Sequence, residues 1–114
     1  MSIFSTLFGT GKEKSDKIEV LNQADFAAAI KDKKVQLIDV RTPGEYGNGH
    51  IKNAVNVDFF NAAGFERYCE KMSKDKPVYL YCRSGARSRG AARKLIGMGF
   101  EKVVDLKGGY MSWR

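Results

Sequence analysis

Cys82 closes the apolar run Val78-Tyr79-Leu80-Tyr81 and opens a small basic loop, Arg83-Ser84-Gly85-Ala86-Arg87-Ser88. An alanine-rich helical segment, Arg89 to Met98, follows and carries Arg93 and Lys94. Strand, cysteine, short loop and helix in that order set a sulfur at the carboxyl end of a buried strand, facing a helix amino terminus. Backbone N–H groups point outward there and the helix dipole is positive, so an anion is stabilised. A thiol held in that field, with arginines nearby, is favoured as the thiolate, its nucleophilic form; such thiols are expected to be partly exposed. Free cysteine also packs into cores as a small hydrophobe, but the residues after Cys82 continue no core pattern. Residue types and spacing point to one reactive thiolate.

The other candidates divide by their surroundings. Cys69 falls on a helical stripe with Phe65, Tyr68 and Met72, which reads as a packed core thiol; a resolving partner for Cys82 is the alternative. His50, the single histidine, lies in Gly49-His50-Ile51 and reads as a structural residue rather than the base of a Cys–His pair. No close His/Cys spacing suggests a metal site, and no cofactor is implied. Asp39 and Arg41 stand where the apolar run Val35 to Val40 ends, a second strand end delivering polar groups to the same sheet edge as Cys82. Arg87 either faces a substrate or turns inward to pair with Asp39 or Glu45, since a buried arginine needs a partner. Arg83 is the candidate for meeting an incoming anion.

The elements that must position these residues follow from hydrophobic period and punctuation. Strands are expected at Ile18 to Leu21, Val35 to Val40, Ala54 to Val57, Val78 to Tyr81 and around Val103 and Val104. Asn22 caps a helix with Asp25 three residues on; Leu21 can staple to Phe26, and Phe26, Ala29 and Ile30 form the buried face. Thr42-Pro43-Gly44-Glu45 marks a turn or very short helix, and Asn61 caps the helix that carries Phe65, Tyr68, Cys69 and Met72. The helix after Cys82 ends near Gly97 or Gly99. Gly108-Gly109 leads into a terminal aromatic turn ending in Trp113. Strands alternating with helices pair in parallel through crossovers, which gives a three-layer α/β domain, helices on both faces of the sheet. Ligands bind beyond the carboxyl ends of such strands.

The 114 residues make one domain, read as residues 18–114 preceded by an arm, residues 1–17, in which Ile3, Phe4, Leu7 and Phe8 fall on one helical face. Apolar residues are 43% and charged residues 29%, an ordinary globular balance. Two cysteines build no disulfide scaffold, in keeping with a reducing compartment. No stretch of about 18 apolar residues suggests a membrane span, and the first residues lack a basic leader, so a cytoplasmic protein is expected. The net charge of +7 is spread along the chain without a block of like charges or interleaved aromatics, which argues for a solvated basic surface and a local arginine cluster rather than a nucleic-acid interface.

Three separated motifs resemble the rhodanese-like domain family. Leu37-Ile38-Asp39-Val40-Arg41-Thr42-Pro43-Gly44-Glu45-Tyr46 with Gly49-His50-Ile51-Lys52-Asn53-Ala54-Val55-Asn56 is similar to its amino-terminal signature. Cys82 to Ser88 is similar to its active-site loop, and Leu106 to Trp113 to its closing motif. Asn53 stands where the family more often has glycine. The resemblance implies a central parallel sheet of about five strands and sulfur transfer through a Cys82 persulfide, with Arg83, Ser84, Gly85, Ala86, Arg87 and Ser88 as the loop that binds it and Asp39, Arg41 and Glu45 in support. It implies a small anionic sulfur donor such as thiosulfate and a thiol, protein-cysteine or cyanide acceptor. Related phosphatases and arsenate reductases place five residues between cysteine and arginine; here four intervene between Cys82 and Arg87, which favours sulfur over a tetrahedral oxyanion. A binding or regulatory module without activity is the remaining alternative, one that usually lacks the cysteine.

Overall fold

The computed structural model describes residues 16–113. Five strands, β1 (Ile18–Leu21), β2 (Gln36–Asp39), β3 (Val55–Asn56), β4 (Val78–Tyr81) and β5 (Val103–Leu106), form one sheet in the order β1-β5-β4-β2-β3. Every pair is parallel. Between them run α1 (Gln23–Ala29), α2 (Pro43–Gly47), α3 (Ala62–Glu70) and α4 (Ala86–Gly97), and a 3-10 turn, Tyr110–Ser112, follows β5. The arm read over residues 1–17 lies almost wholly outside the described residues.

Strand side chains alternate between faces, and the two cores follow that alternation. On one face Val78 and Leu80 of β4, Ile38 of β2 and Val103 of β5 pack with Phe65 and Cys69 of α3 and with Ala91, Ala92, Leu95 and Ile96 of α4. On the other, Leu37, Tyr81, Val104 and Leu106 enclose Phe26 of α1, with Tyr110 and Trp113 against them. The sheet is therefore covered on both sides, as its nearly continuous apolar strands require.

Local chemistry sets the element ends. The Asn22 side chain accepts from the Asp25 N–H at 2.8 Å and starts α1. Thr42 and Glu45 form a reciprocal capping box with Pro43 at the first turn, so the expected turn is a short helix. Asn53 has φ +74°, a left-handed conformation that asparagine tolerates better than most residues.

Three expected boundaries shift. β2 is shorter than Val35 to Val40, although the Val40 N–H still donates to Tyr81 O at 3.0 Å. β3 contracts to Val55–Asn56 because Asn56 turns its side-chain amide to Asp39 O and Arg41 O, pinning the chain beyond β2. α4 begins at Ala86 rather than Arg89, so Ala86, Arg87 and Ser88 belong to its first turn and the loop proper is Arg83 to Gly85.

Candidate active site

β4 runs through the middle of the sheet and delivers Cys82 at its carboxyl end, where α4 begins. The Gly85 N–H donates to Cys82 Sγ at 2.9 Å, and Ser88 Oγ lies 3.5 Å from the same sulfur while donating to Gly85 O at 3.1 Å. Gly85 is the N-cap of α4, with φ +115°, a conformation that an L side chain adopts only under strain. A short positive-φ turn thus aims a backbone donor and the positive end of a 12-residue helix at one sulfur.

Cys82 is 1% exposed. The sequence pointed to a partly exposed thiol; the sulfur instead lies at the floor of the loop, and Arg83, Ser84 and Ala86 are the exposed residues around it. The reason is the late turn of the chain: Cys82 still packs with the core residues Val40, Val57 and Ala91 before the backbone bends outward.

The closing segment fixes the loop from the other side. Tyr110 N–H donates to Cys82 O at 2.8 Å and Met111 N–H to Arg83 O at 3.0 Å. A Cβ at Gly109 would collide with the Arg83 carbonyl and the Ser84 nitrogen. Gly109 also adopts φ +68°, ψ −168°, a region essentially reserved for glycine. Gly109 therefore lets two backbones touch.

Arg87 turns inward. Its guanidinium makes a bidentate pair with Glu45, Nη1 to Oε1 at 2.8 Å and Nη2 to Oε2 at 3.1 Å, and stacks over Phe60 at 5.0 Å. The Arg87 hydrogen bond, helped by the Thr42 backbone, holds the Glu45 carboxyl down at about 2. Glu45 in return raises Arg87, with a smaller contribution from Cys82. The pair ties the first turn of α4 to α2.

Asp39 and Arg41 do not reach the thiol. Asp39 accepts from Arg41 through both carboxylate oxygens, the shortest contact 2.7 Å, and Arg41 also donates to Gly49 O. The Arg41 guanidinium lies 4.4 Å from the centre of the Tyr110 ring. Burial pulls its pKa down, but the hydrogen bonding and charge of Asp39 outweigh that. Both residues are buried and mutually satisfied, so their contribution is to shape: they lock the β2 end against the turn that supports Cys82 O. His50 Nδ1 is within 2.9 Å of Tyr46 O and its ring stacks on Tyr46, in a structural position. Cys69 is fully buried, burial pushing its thiol up to about 12.

Asp105 escaped the sequence reading. It sits in β5 beside Leu80, on the α4 face, and is 4% exposed. Burial pushes its carboxyl up to about 6, against the opposing pull of Ser88, Arg89 and the Leu106 backbone. A lone acid in the run Val103-Val104-Asp105-Leu106 is the signal that could have found it, since an ionisable group on a covered strand needs a reason.

The rhodanese-like domain family matches residues 22–114. An uncharacterised protein of Bacillus subtilis, YqhL, is 38% identical over 96 residues, 84% of this chain and 72% of that protein. The thiosulfate sulfurtransferase GlpE of Coxiella burnetii is 35% identical over 85 residues, 75% of this chain and 77% of that enzyme. Among solved structures, a rhodanese-related protein from Thermoplasma volcanium superposes with a TM-score of 0.70 at 32% identity, covering 83% of this chain and 89% of the other.

Proposed function

Because the chain belongs to the rhodanese-like domain family, we propose that it is a sulfurtransferase in which Cys82 carries sulfane sulfur as a persulfide, with thiosulfate as a competent donor. The observation that carries this reading is the Gly85 N–H aimed at Cys82 Sγ from the amino terminus of α4. A backbone donor in that position stabilises negative charge that develops on sulfur during transfer. The likeness to a thiosulfate sulfurtransferase across three quarters of the chain supports the same donor class.

The chemistry proceeds in two displacements. Cys82 thiolate attacks the outer sulfur of thiosulfate; the new S–S bond forms as the old one breaks, and sulfite leaves with the bonding pair. The outer sulfur of Cys82–S–S⁻ is then the anion that the loop and helix terminus stabilise. A nucleophilic acceptor attacks that sulfur, and Cys82 leaves as the thiolate. The acceptor is a thiol, a protein cysteine or, in an assay, cyanide. Arg83, exposed on the rim, meets the anionic donor. Arg87 is occupied by Glu45, which supports a site sized for sulfur rather than one with a free arginine for a tetrahedral oxyanion.

The test is thiocyanate formation from thiosulfate and cyanide. The wild-type protein gives parallel double-reciprocal lines, the signature of a covalent intermediate, and Cys82→Ser lowers kcat by ~1,000-fold or more. A folded Cys82→Ser variant with wild-type turnover would overturn the reading.

A further inference from the structure

Among the described residues, two of the exposed large apolar side chains border the loop that follows Cys82: Phe60 is 67% exposed and Met111 57%. They reach it from opposite faces of the sheet. Phe60 lies between β3 and α3, where its neighbour Phe59 packs on the Phe65 ring and against α4 at Gly90. Met111 lies in the turn after β5, whose Tyr110 and Trp113 pack on the other face. Each is tied to the loop or its helix. The Phe60 ring sits under the Arg87 guanidinium at 5.0 Å, and the Met111 N–H donates to Arg83 O at 3.0 Å.

The exposure is built into the chain. Phe59 takes the place beside the core, so Phe60, one residue on, is left outside, its N–H held by Asp58 Oδ1 at 2.9 Å. Scattered single apolar residues are ordinary on a surface, but two held in place beside one loop form a patch. Aromatic residues, methionine and arginine are the types enriched where proteins dock. Arg83 in the loop and Arg89 in the first turn of α4 are exposed and make no ion pair among the described residues.

We propose that this rim is the docking surface for a protein acceptor of the transferred sulfur: a polypeptide whose cysteine stands among apolar side chains with carboxylates close by. A small acceptor such as cyanide gains nothing from Phe60 or Met111. A polypeptide covers both and removes their apolar surface from water, while its carboxylates meet Arg83 and Arg89. Because Cys82 is buried, the acceptor thiol must be held over the loop, which docked residues on either side of it do. The acceptor thiolate then attacks the outer sulfur of Cys82–S–S⁻. The old S–S bond breaks as the new one forms, Cys82 leaves as the thiolate, and the acceptor carries the persulfide.

The proposal rests on Cys82 as the sulfur carrier, and the experiment separates the two. The full chain is loaded with thiosulfate, and loss of sulfur from Cys82 is followed by intact mass with peptide acceptors and with cyanide. One short peptide has a central cysteine flanked by leucines and aspartates; a second replaces the leucines by serines and keeps the aspartates. The leucine peptide should react roughly tenfold faster than the serine peptide. In Phe60→Ser and in Met111→Ser that advantage should fall to about twofold or less, and Phe60→Leu should keep most of it. Each rate is taken relative to cyanide on the same sample, so a disturbed loop cancels. A fluorescein-labelled leucine peptide with serine in place of its cysteine reads docking without sulfur chemistry; its binding should weaken in both serine variants and with added salt. Equal rates for the two peptides and no binding, in a protein that still turns over cyanide, would overturn the docking surface and leave sulfur transfer intact. Binding by a protein that never forms the persulfide would support the surface and overturn the sulfur-carrier reading instead.

Discussion

Two carboxylates, Glu45 and Asp105, have their ionisation shifted in opposite directions, and pH separates them. Glu45 is held at about 2 by its bidentate arginine, so the folded state binds its proton less tightly than the unfolded chain. The resulting stability is complete above the usual carboxylate range and is lost as pH falls toward 2. Asp105 runs the other way. Its folded-state value of about 6 lies above the ordinary 3.8, so stability falls as pH rises through that window. Asp105→Asn should therefore raise the melting temperature at pH 7.5, by a free energy on the order of 1–2 kcal/mol, and the gain should vanish at pH 4. Calorimetry at the two pH values checks this; an equal shift at both would show that packing, not ionisation, is the cause. Glu45→Gln should lower stability at pH 7 by about 1 kcal/mol, discounted for the partial exposure of the pair. It should also slow sulfur transfer, because Arg87 then no longer anchors the first turn of α4.

At the scale of elements, the site is a junction of four chain segments around one sulfur: the β4 end, the α4 start, the β2–α2 turn and the turn after β5. Gly109 is the tightest point of that junction. Gly109→Ala places a Cβ against the Arg83 carbonyl in a glycine-only conformation. It should cost about 2–3 kcal/mol of stability and reduce turnover by moving Arg83 and Ser84. Denaturant unfolding alongside the thiocyanate assay tests it; wild-type values in both would show that the closing turn does not set the loop. Much of this was legible beforehand. The cysteine at a strand end, the basic loop and the Gly-Gly turn stand out by residue type, and Thr42-Pro43-Gly44-Glu45 reads as a turn or very short helix. The start of α4 was not legible, because Arg87 and Ser88 sit equally well in a loop or a first turn until Gly85 takes a positive φ. Nor was the partner of Arg87, since Asp39 and Glu45 offered the same charge; only the β2–α2 geometry, which commits Asp39 to Arg41, decides between them. Asp105 was hidden because a strand covered on both faces shows no alternation to violate.

At the scale of the molecule, a parallel sheet between two apolar layers brings a basic loop to one edge while the rest of the +7 charge stays dispersed. Such a field draws small anions toward the arginines without building an extended polyanion track. Arg83→Ala should raise KM for thiosulfate several-fold at low salt with little change in kcat, and the difference should shrink as ionic strength passes ~0.15 M. A KM difference indifferent to salt would mean Arg83 contributes contact rather than charge. The layers themselves were the most predictable feature, since strand-helix alternation and apolar strands leave few other arrangements.

The central claim is that Cys82 carries the transferred sulfur. Its most direct measurement is intact mass after incubation with excess thiosulfate, with and without a reductant. A gain of one sulfur, about 32 Da, that the reductant removes and that Cys82→Ser never acquires is the predicted result. A folded protein with a free Cys82 thiol that gains no mass, or a gain that persists in Cys82→Ser, would contradict it.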